Sequence, residues 1–187
     1  MIKYIVSTIG IALAVLGVIY GSFLPLLKAK LYIRAINNFS LIKNLDEFKK
    51  NFNRPLDFYS PVGQEEIVKF LATEIIERLI YPGQQEIISR ELVNYIEPRF
   101  IYTDSKHLLL SASMYGKIFN IYNNKDDLEK TEKYFQEILA LNPKSPQALY
   151  GLFGVYQYKG EISKAKETAE IILRYWPEDE RIRVDNK

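Results

Sequence analysis

The hydrophobic pattern divides the chain into an apolar leader and a helical remainder. No charged residue occurs between Lys3 and Lys28, and the stretch Ile5 to Leu27 is dominated by Ile, Val, Leu, Ala and Gly. As a helix at about 1.5 Å per residue it reaches roughly 35 Å, enough to cross a hydrocarbon core of about 30 Å with some tilt. A helix is the only single segment that can do so, because every backbone polar group must find its partner internally. Tyr4 and Tyr20 suit the interfaces, Lys28 and Lys30 suit an anchor at the far end, and Pro25 falls in the last turn. A cleaved signal peptide has a shorter apolar core and a small-residue cleavage site, and Tyr20-Gly21-Ser22-Phe23 matches that poorly. A helix packed into a globular domain of this size keeps a polar face toward water, which this one lacks. There is no lipobox cysteine. Residues 1–28 are therefore expected to be a transmembrane anchor.

Beyond the anchor the period changes to that of amphipathic helices. Lys28 to Asn38 extends the span, and Asn44 caps a short helix that opens on Leu45-Asp46-Glu47 and ends at Asn53-Arg54-Pro55. Residues 29–58 form this linker with its short helices. Ser60-Pro61 reads as a helix start. Ile67, Phe70, Leu71, Ile75 and Leu79 then make one apolar stripe from Gln64 to Ile80. Tyr81-Pro82-Gly83 stops it, a second helix runs from about Gln84 to Ile96, and Glu97-Pro98 closes that one. Residues 59–111 are thus expected to be a degenerate antiparallel hairpin.

Residues 112–145 and 146–179 match each other at a shift of 34. Phe119 meets Phe153, Tyr122 meets Tyr156, Ile138-Leu139 meets Ile172-Leu173, and Pro143 meets Pro177. The second unit carries Leu149, Leu152 and Tyr156 on its first helix, Gly160 at the turn, Ala165 and Ala169 on its second helix, and Pro177 at the exit. On these residues it resembles the tetratricopeptide (TPR) repeat family. The first unit departs at Thr131 and Phe135, and Asp126 stands at the turn glycine, where a cap with Glu129 as capping-box partner is expected. The fold class that follows is all-α: an N-terminal transmembrane helix, then an α-solenoid of TPR-like hairpins. Residues 180–187 read as a tail. No capping helix is expected after Pro177, and Lys164, Lys166, Glu167 and Glu170 are expected to solvate the open end.

Composition removes most chemistry. There is no cysteine and a single histidine, His107, expected as a partly exposed helix-entry residue. No cluster has metal-ligand spacing, no phosphate-binding loop occurs, and the acids alternate with Lys and Arg or sit at helix starts. The net charge of +2 is too small for a nucleic-acid surface. No catalytic residue, cofactor, metal, nucleic acid or small-molecule substrate is expected. What remains is a binding surface for a protein partner, with the membrane held by the first helix. By matching repeat position, the TPR resemblance implies a groove presenting Ser113, Gly116, Asn120, Asn123 and Asn124 from one unit. The next unit gives Gln147, Tyr150, Gly154, Gln157 and Tyr158. Amides and phenols hydrogen-bond a peptide backbone in either sense with little charge to desolvate. Gly116 and Tyr150 stand where the family's carboxylate clamp has lysine, so recognition of a chaperone tail is not expected.

The order of parts also resembles the tail of bacterial O-antigen ligase-like proteins: a last span with Lys28-Ala29-Lys30, then Ser60 to Glu66, then Leu139 to Pro177. That resemblance implies an accessory role in surface-glycan assembly as the alternative to a membrane-anchored scaffold. Lys28, Lys30, Arg34 and Lys43 follow the span, whereas only Lys3 and the terminal amine precede it. The positive-inside tendency then puts the helical domain in the cytoplasm, and a signal-anchor with Lys3 inside is the opposite arrangement. Protease added to sealed vesicles of known orientation checks this: digestion from the cytoplasmic face is expected, and digestion from the outer face alone would reverse it.

Overall fold

The computed structural model describes residues 2–79, 81 and 83–182. Among them there are helices and turns and no strand. The nine α-helices among the described residues are α1 (Ile2–Val18), α2 (Leu24–Asn37), α3 (Leu45–Asp57), α4 (Gln64–Leu79), α5 (Glu86–Ile96), α6 (Ser105–Tyr122), α7 (Lys125–Leu141), α8 (Pro146–Lys159) and α9 (Ile162–Tyr175). The chain falls into two compact units, Met1–Leu71 and Ala72–Lys187, divided within α4. Ile80, Pro82 and residues 183–187, which bear on the predicted helix stop and the predicted tail, lie outside the described residues.

In the first unit α1 runs into α2 through a π-helical turn, Ile19–Phe23. Pro25 explains the turn. It has no N–H to give, and its ring crowds the carbonyl four residues back, so the preceding turn widens. Leu24 N–H accordingly donates to Ile19 O. The continuous helix Lys3–Leu41 is long and apolar enough to cross a membrane, by length and composition, and none of its most apolar window is buried. Lys28 does not point outward as an anchor. It is buried, and its Nζ donates to Phe58 O at 2.5 Å, tying α2 to the end of α3.

The core of this unit is aromatic: Phe39, Phe48 and Phe52 sit 4.9–5.6 Å apart by ring centroid. Asn44 caps α3 as expected, its Oδ1 accepting from Glu47 N–H at 2.9 Å, while Glu47 Oε2 accepts from Lys43 N–H. The helix does not end at Pro55 but continues to Asp57. Phe52, Pro55 and Leu56 are all buried. Fully burying a Phe or Leu contributes about 1.5–3 kcal/mol each, enough to offset roughly 3 kcal/mol for an interior proline. Pro61 does not open α4 either. Ser60 Oγ donates to Val62 O, Gly63 takes a left-handed φ of 89°, and the helix begins only after it. Phe70 is 60% exposed and stacks on Tyr32, so the buried stripe runs through Ile67, Val68 and Leu71 instead.

In the second unit, hairpin α6–α7 precedes hairpin α8–α9. Both turn through a left-handed residue, but in different register. Gly160 closes α8 at φ 70°, whereas α6 closes at Asn123, φ 54°. The cap of α7 is therefore Asn124, whose Oδ1 accepts from Asp126 N–H, and Asp126 lies inside the first turn rather than at the cap. Thr131, in the small-residue position of α7, is buried and turns its hydroxyl back to Asp127 O. Ala165 and Ala169 are buried in α9. The end after Pro177 is not open: a 3-10 turn, Glu180–Ile182, folds back and sinks Ile182 among Leu149, Ala169 and Ile172. One apolar side chain past the last repeat thus covers part of the last hairpin, while Lys164, Lys166, Glu167 and Glu170 are exposed on α9. His107 is 1% exposed, not partly exposed. It is covered by Phe100, stacked at 5.1 Å, and its Nδ1 accepts from Ile101 N–H.

The joint between the two repeats depends on Gly151. A Cβ there would lie 2.3 Å from the Phe135 ring. Alanine gains about 1 kcal/mol of helix propensity over glycine, but overpacking a rigid ring costs about 1–3 kcal/mol and the clash is severe. Gly151→Ala is expected to destabilise the domain by up to about 2 kcal/mol in thermal melts, and adding Phe135→Leu is expected to recover most of that loss.

Candidate partner-binding groove

The first helices of the two hairpins, α6 and α8, border a hollow of about 350 Å3. Phe119, Leu128, Phe135 and Val155 give it an apolar floor, and Gly116 and Gly154 leave its sides open. A Cβ at Gly154 would meet nothing within 4 Å, so the glycine adds free space where Gly151 adds close contact. Of the residues expected from the repeat, Ser113, Gly116, Asn120, Gly154 and Tyr158 line this hollow together. Tyr158 bridges the hairpins at its rim: its hydroxyl donates to Asn123 Oδ1 at 3.0 Å and its ring meets the Phe119 ring edge-on.

The other expected residues lie elsewhere. Asn124 has its side-chain oxygen committed to the α7 cap. Gln147 and Gln157 are exposed on α8 and do not line the hollow. Tyr150 belongs to the C-terminal turn: its hydroxyl bonds to Asp179, accepts from Arg181 Nη2 at 2.9 Å, and its ring stacks on Trp176. Arg181 and the Tyr150 hydroxyl hold the Asp179 carboxyl well below the usual carboxylate range.

Charge is segregated between the helices. Neither α6 nor α8 contains Asp or Glu, whereas Lys106, Lys117 and Lys159 lie on them. The acids sit on α7 and α9. Lys159 is neutralised by Glu132 at 2.6 Å, which raises its pKa. Lys117 borders the hollow and makes no ion pair among the described residues. The lining is thus mildly cationic over an apolar floor. Among the described residues no group of His, Asp and Glu could hold a metal ion.

Sequence reasoning missed the contacts that brace α5 against this pair. Arg90 makes two hydrogen bonds to Asp127, at 3.1 and 2.9 Å, and Asp127 is 1% exposed. Tyr115 and Tyr134 both donate to the Glu97 carboxylate, at 2.7 and 2.8 Å, and Tyr122 donates to Gln84 O. The signal for these is partners more than fifteen positions apart, which periodicity does not carry. Burial first, and then Glu97, raises the pKa of both Tyr115 and Tyr134 well above the ordinary 10.0. An acid whose folded value is raised stabilises the fold fully below its unfolded value, and that stability is lost as pH climbs toward the folded value. Thermal stability is therefore expected to fall as pH rises above about 10, by up to roughly 1.4 kcal/mol per pH unit per phenol. Melts across that range are expected to show a shallower fall for Tyr134→Phe.

No family model and no solved structure matches the chain. Two relatives do match, both Photosystem I assembly protein Ycf3. The protein from Acaryochloris marina (strain MBIC 11017) is 36% identical over 84 residues, covering 42% of this chain and 48% of the relative. That from Cyanophora paradoxa is 32% identical over 92 residues, covering 42% and 53%. The chain spans about half the length of the relatives it matches. Neither is named for glycan assembly, and the resemblance to O-antigen ligase tails gains no support from them. The hairpins at a 34-residue period are TPR-like, the described residues form helices and turns alone, and these relatives support that likeness.

Proposed function

We propose that the chain is a membrane-anchored assembly scaffold, a binding module and not an enzyme, whose groove between α6 and α8 holds a segment of a protein partner. The observation that carries this is the hollow itself: an apolar floor between two glycine-opened sides, bordered by Asn120, Tyr158 and an unpaired Lys117. Such a lining takes an apolar side chain and hydrogen-bonds the backbone that bears it. The relatives support an assembly role, since both are named as photosystem I assembly proteins. The apolar helix supports anchoring by its length and composition. The positive charges that follow it favour a cytoplasmic domain.

Gly154→Trp tests the groove, because Gly154 lines the hollow and a Cβ there meets nothing within 4 Å. A photo-crosslinker at Asn120 is expected to give a discrete adduct in native membranes, and Gly154→Trp is expected to abolish it with the melting temperature unchanged. A crosslinker at the exposed Lys133 of α7 is expected to give none. The same adduct from both positions, or one that survives Gly154→Trp, would remove the groove as the binding surface.

A further inference from the structure

The first unit contains a niche that the groove does not involve. It lies where the apolar stretch of the long helix ends, between α2 and the end of α3. Leu27, Leu31 and Phe58 make its apolar wall, Lys30, Arg34 and Arg54 surround it, and its volume is about 270 Å3. Leu27, Lys30, Leu31 and Arg34 are spaced i, i+3, i+4 and i+7, so they share one face of α2. No Asp or Glu lines the niche, and among the described residues none of the three cations has an ion pair or a side-chain hydrogen bond. Three like charges held around an apolar wall repel one another unless an anion joins them.

Depth decides which anion. Lys30 and Arg34 lie about 4.5 and 10 Å beyond Leu27 along the helix axis at 1.5 Å per residue. The headgroup layer outside the hydrocarbon core is about 5–8 Å thick. If Leu27 ends the span, Lys30 lies at the depth of the headgroup layer and the Arg34 backbone a few Å outside it, within reach of its long side chain. Both can reach a phosphate there, and a guanidinium binds phosphate through two parallel N–H donors. A free phosphate ion would use the three cations and leave the Leu27, Leu31 and Phe58 wall unused. A phospholipid uses both.

We propose that this niche binds the headgroup of an anionic phospholipid, with its phosphate among Lys30, Arg34 and Arg54 and its glycerol and first acyl carbons against Leu27 and Leu31. The proposal rests on the membrane-anchored reading of the long helix, so the test separates the two. Full-length protein in detergent, titrated with phosphatidylglycerol or phosphatidylcholine and read by native mass spectrometry, is expected to retain phosphatidylglycerol at least tenfold more tightly. Lys30→Gln/Arg34→Gln/Arg54→Gln is expected to weaken that binding about fivefold per cation, or about a hundredfold together. Lys43→Gln/Lys50→Gln, which removes two exposed lysines outside the niche, is expected to leave it unchanged. Equal retention of the two lipids, or an equal loss in both variants, would overturn the proposal. So would undiminished binding by the triple variant. Displacement of the lipid by excess inorganic phosphate would identify a free-phosphate site and overturn the lipid assignment. A carbonate wash of reconstituted vesicles reads the anchor separately. Release of both wild type and triple variant would refute the anchoring and the lipid site with it. Retention of both, with the phosphatidylglycerol preference lost only in the triple variant, is the result expected.

Discussion

A helical hairpin has two apolar faces and can bury only one of them within itself. The second unit is organised by that constraint. Each hairpin needs a neighbour, and the neighbour must come close enough to exclude water. Gly151 sets that distance between α7 and α8, because the Phe135 ring occupies the volume a Cβ would take. With the ring seated there, Leu152, Tyr156 and Ala165 close into one cluster with Phe135 and Leu139. On the far side of the last hairpin, Ile182 packs among Leu149, Ala169 and Ile172. Tyr150, Trp176, Asp179 and Arg181 hold that final turn in place.

The same packing creates the hollow. Between α6 and α8, Gly116 and Gly154 supply no side chain to fill the gap. Apolar area is left uncovered between them, and neither helix carries an acid. A lining without carboxylates carries little desolvation cost for an incoming apolar segment and does not repel an acidic one. The braces from α5, through Arg90–Asp127 and through Glu97 with Tyr115 and Tyr134, fix α6 and α7 without using residues of the hollow's rim.

The sequence made the architecture legible because period is a local property. The uncharged run to Lys28, the 34-residue match and the small residues Ala165 and Ala169 each follow from spacing alone. Asn44 is readable for the same reason, since a cap acts three residues away. What escaped was set by competition between neighbours. Pro55 reads as a stop, yet burial of Phe52 and Leu56 carries the helix through it. Ser60-Pro61 reads as a start, yet Gly63 delays it. Asp126 reads as a cap, yet Asn123 accepts the left-handed turn earlier and passes the cap to Asn124. The position of the hollow was half legible. Repeat position brings Asn120, Gly154 and Tyr158 to one hollow, but it cannot know that the chain after Pro177 returns to engage Tyr150. His107 was misread because Phe100, from the preceding loop, covers it.

The central claim is that the surface between α6 and α8 is where a partner protein sits. Hydrogen exchange on the full chain, isolated from cells together with a protein that co-purifies with it and again after that protein is stripped, measures this directly. The account predicts slowed exchange in the bound state across residues 113–120 of α6 and 151–158 of α8, with α9 unchanged. Protection on the outer surfaces of α7 and α9, with none on α6 and α8, would contradict it.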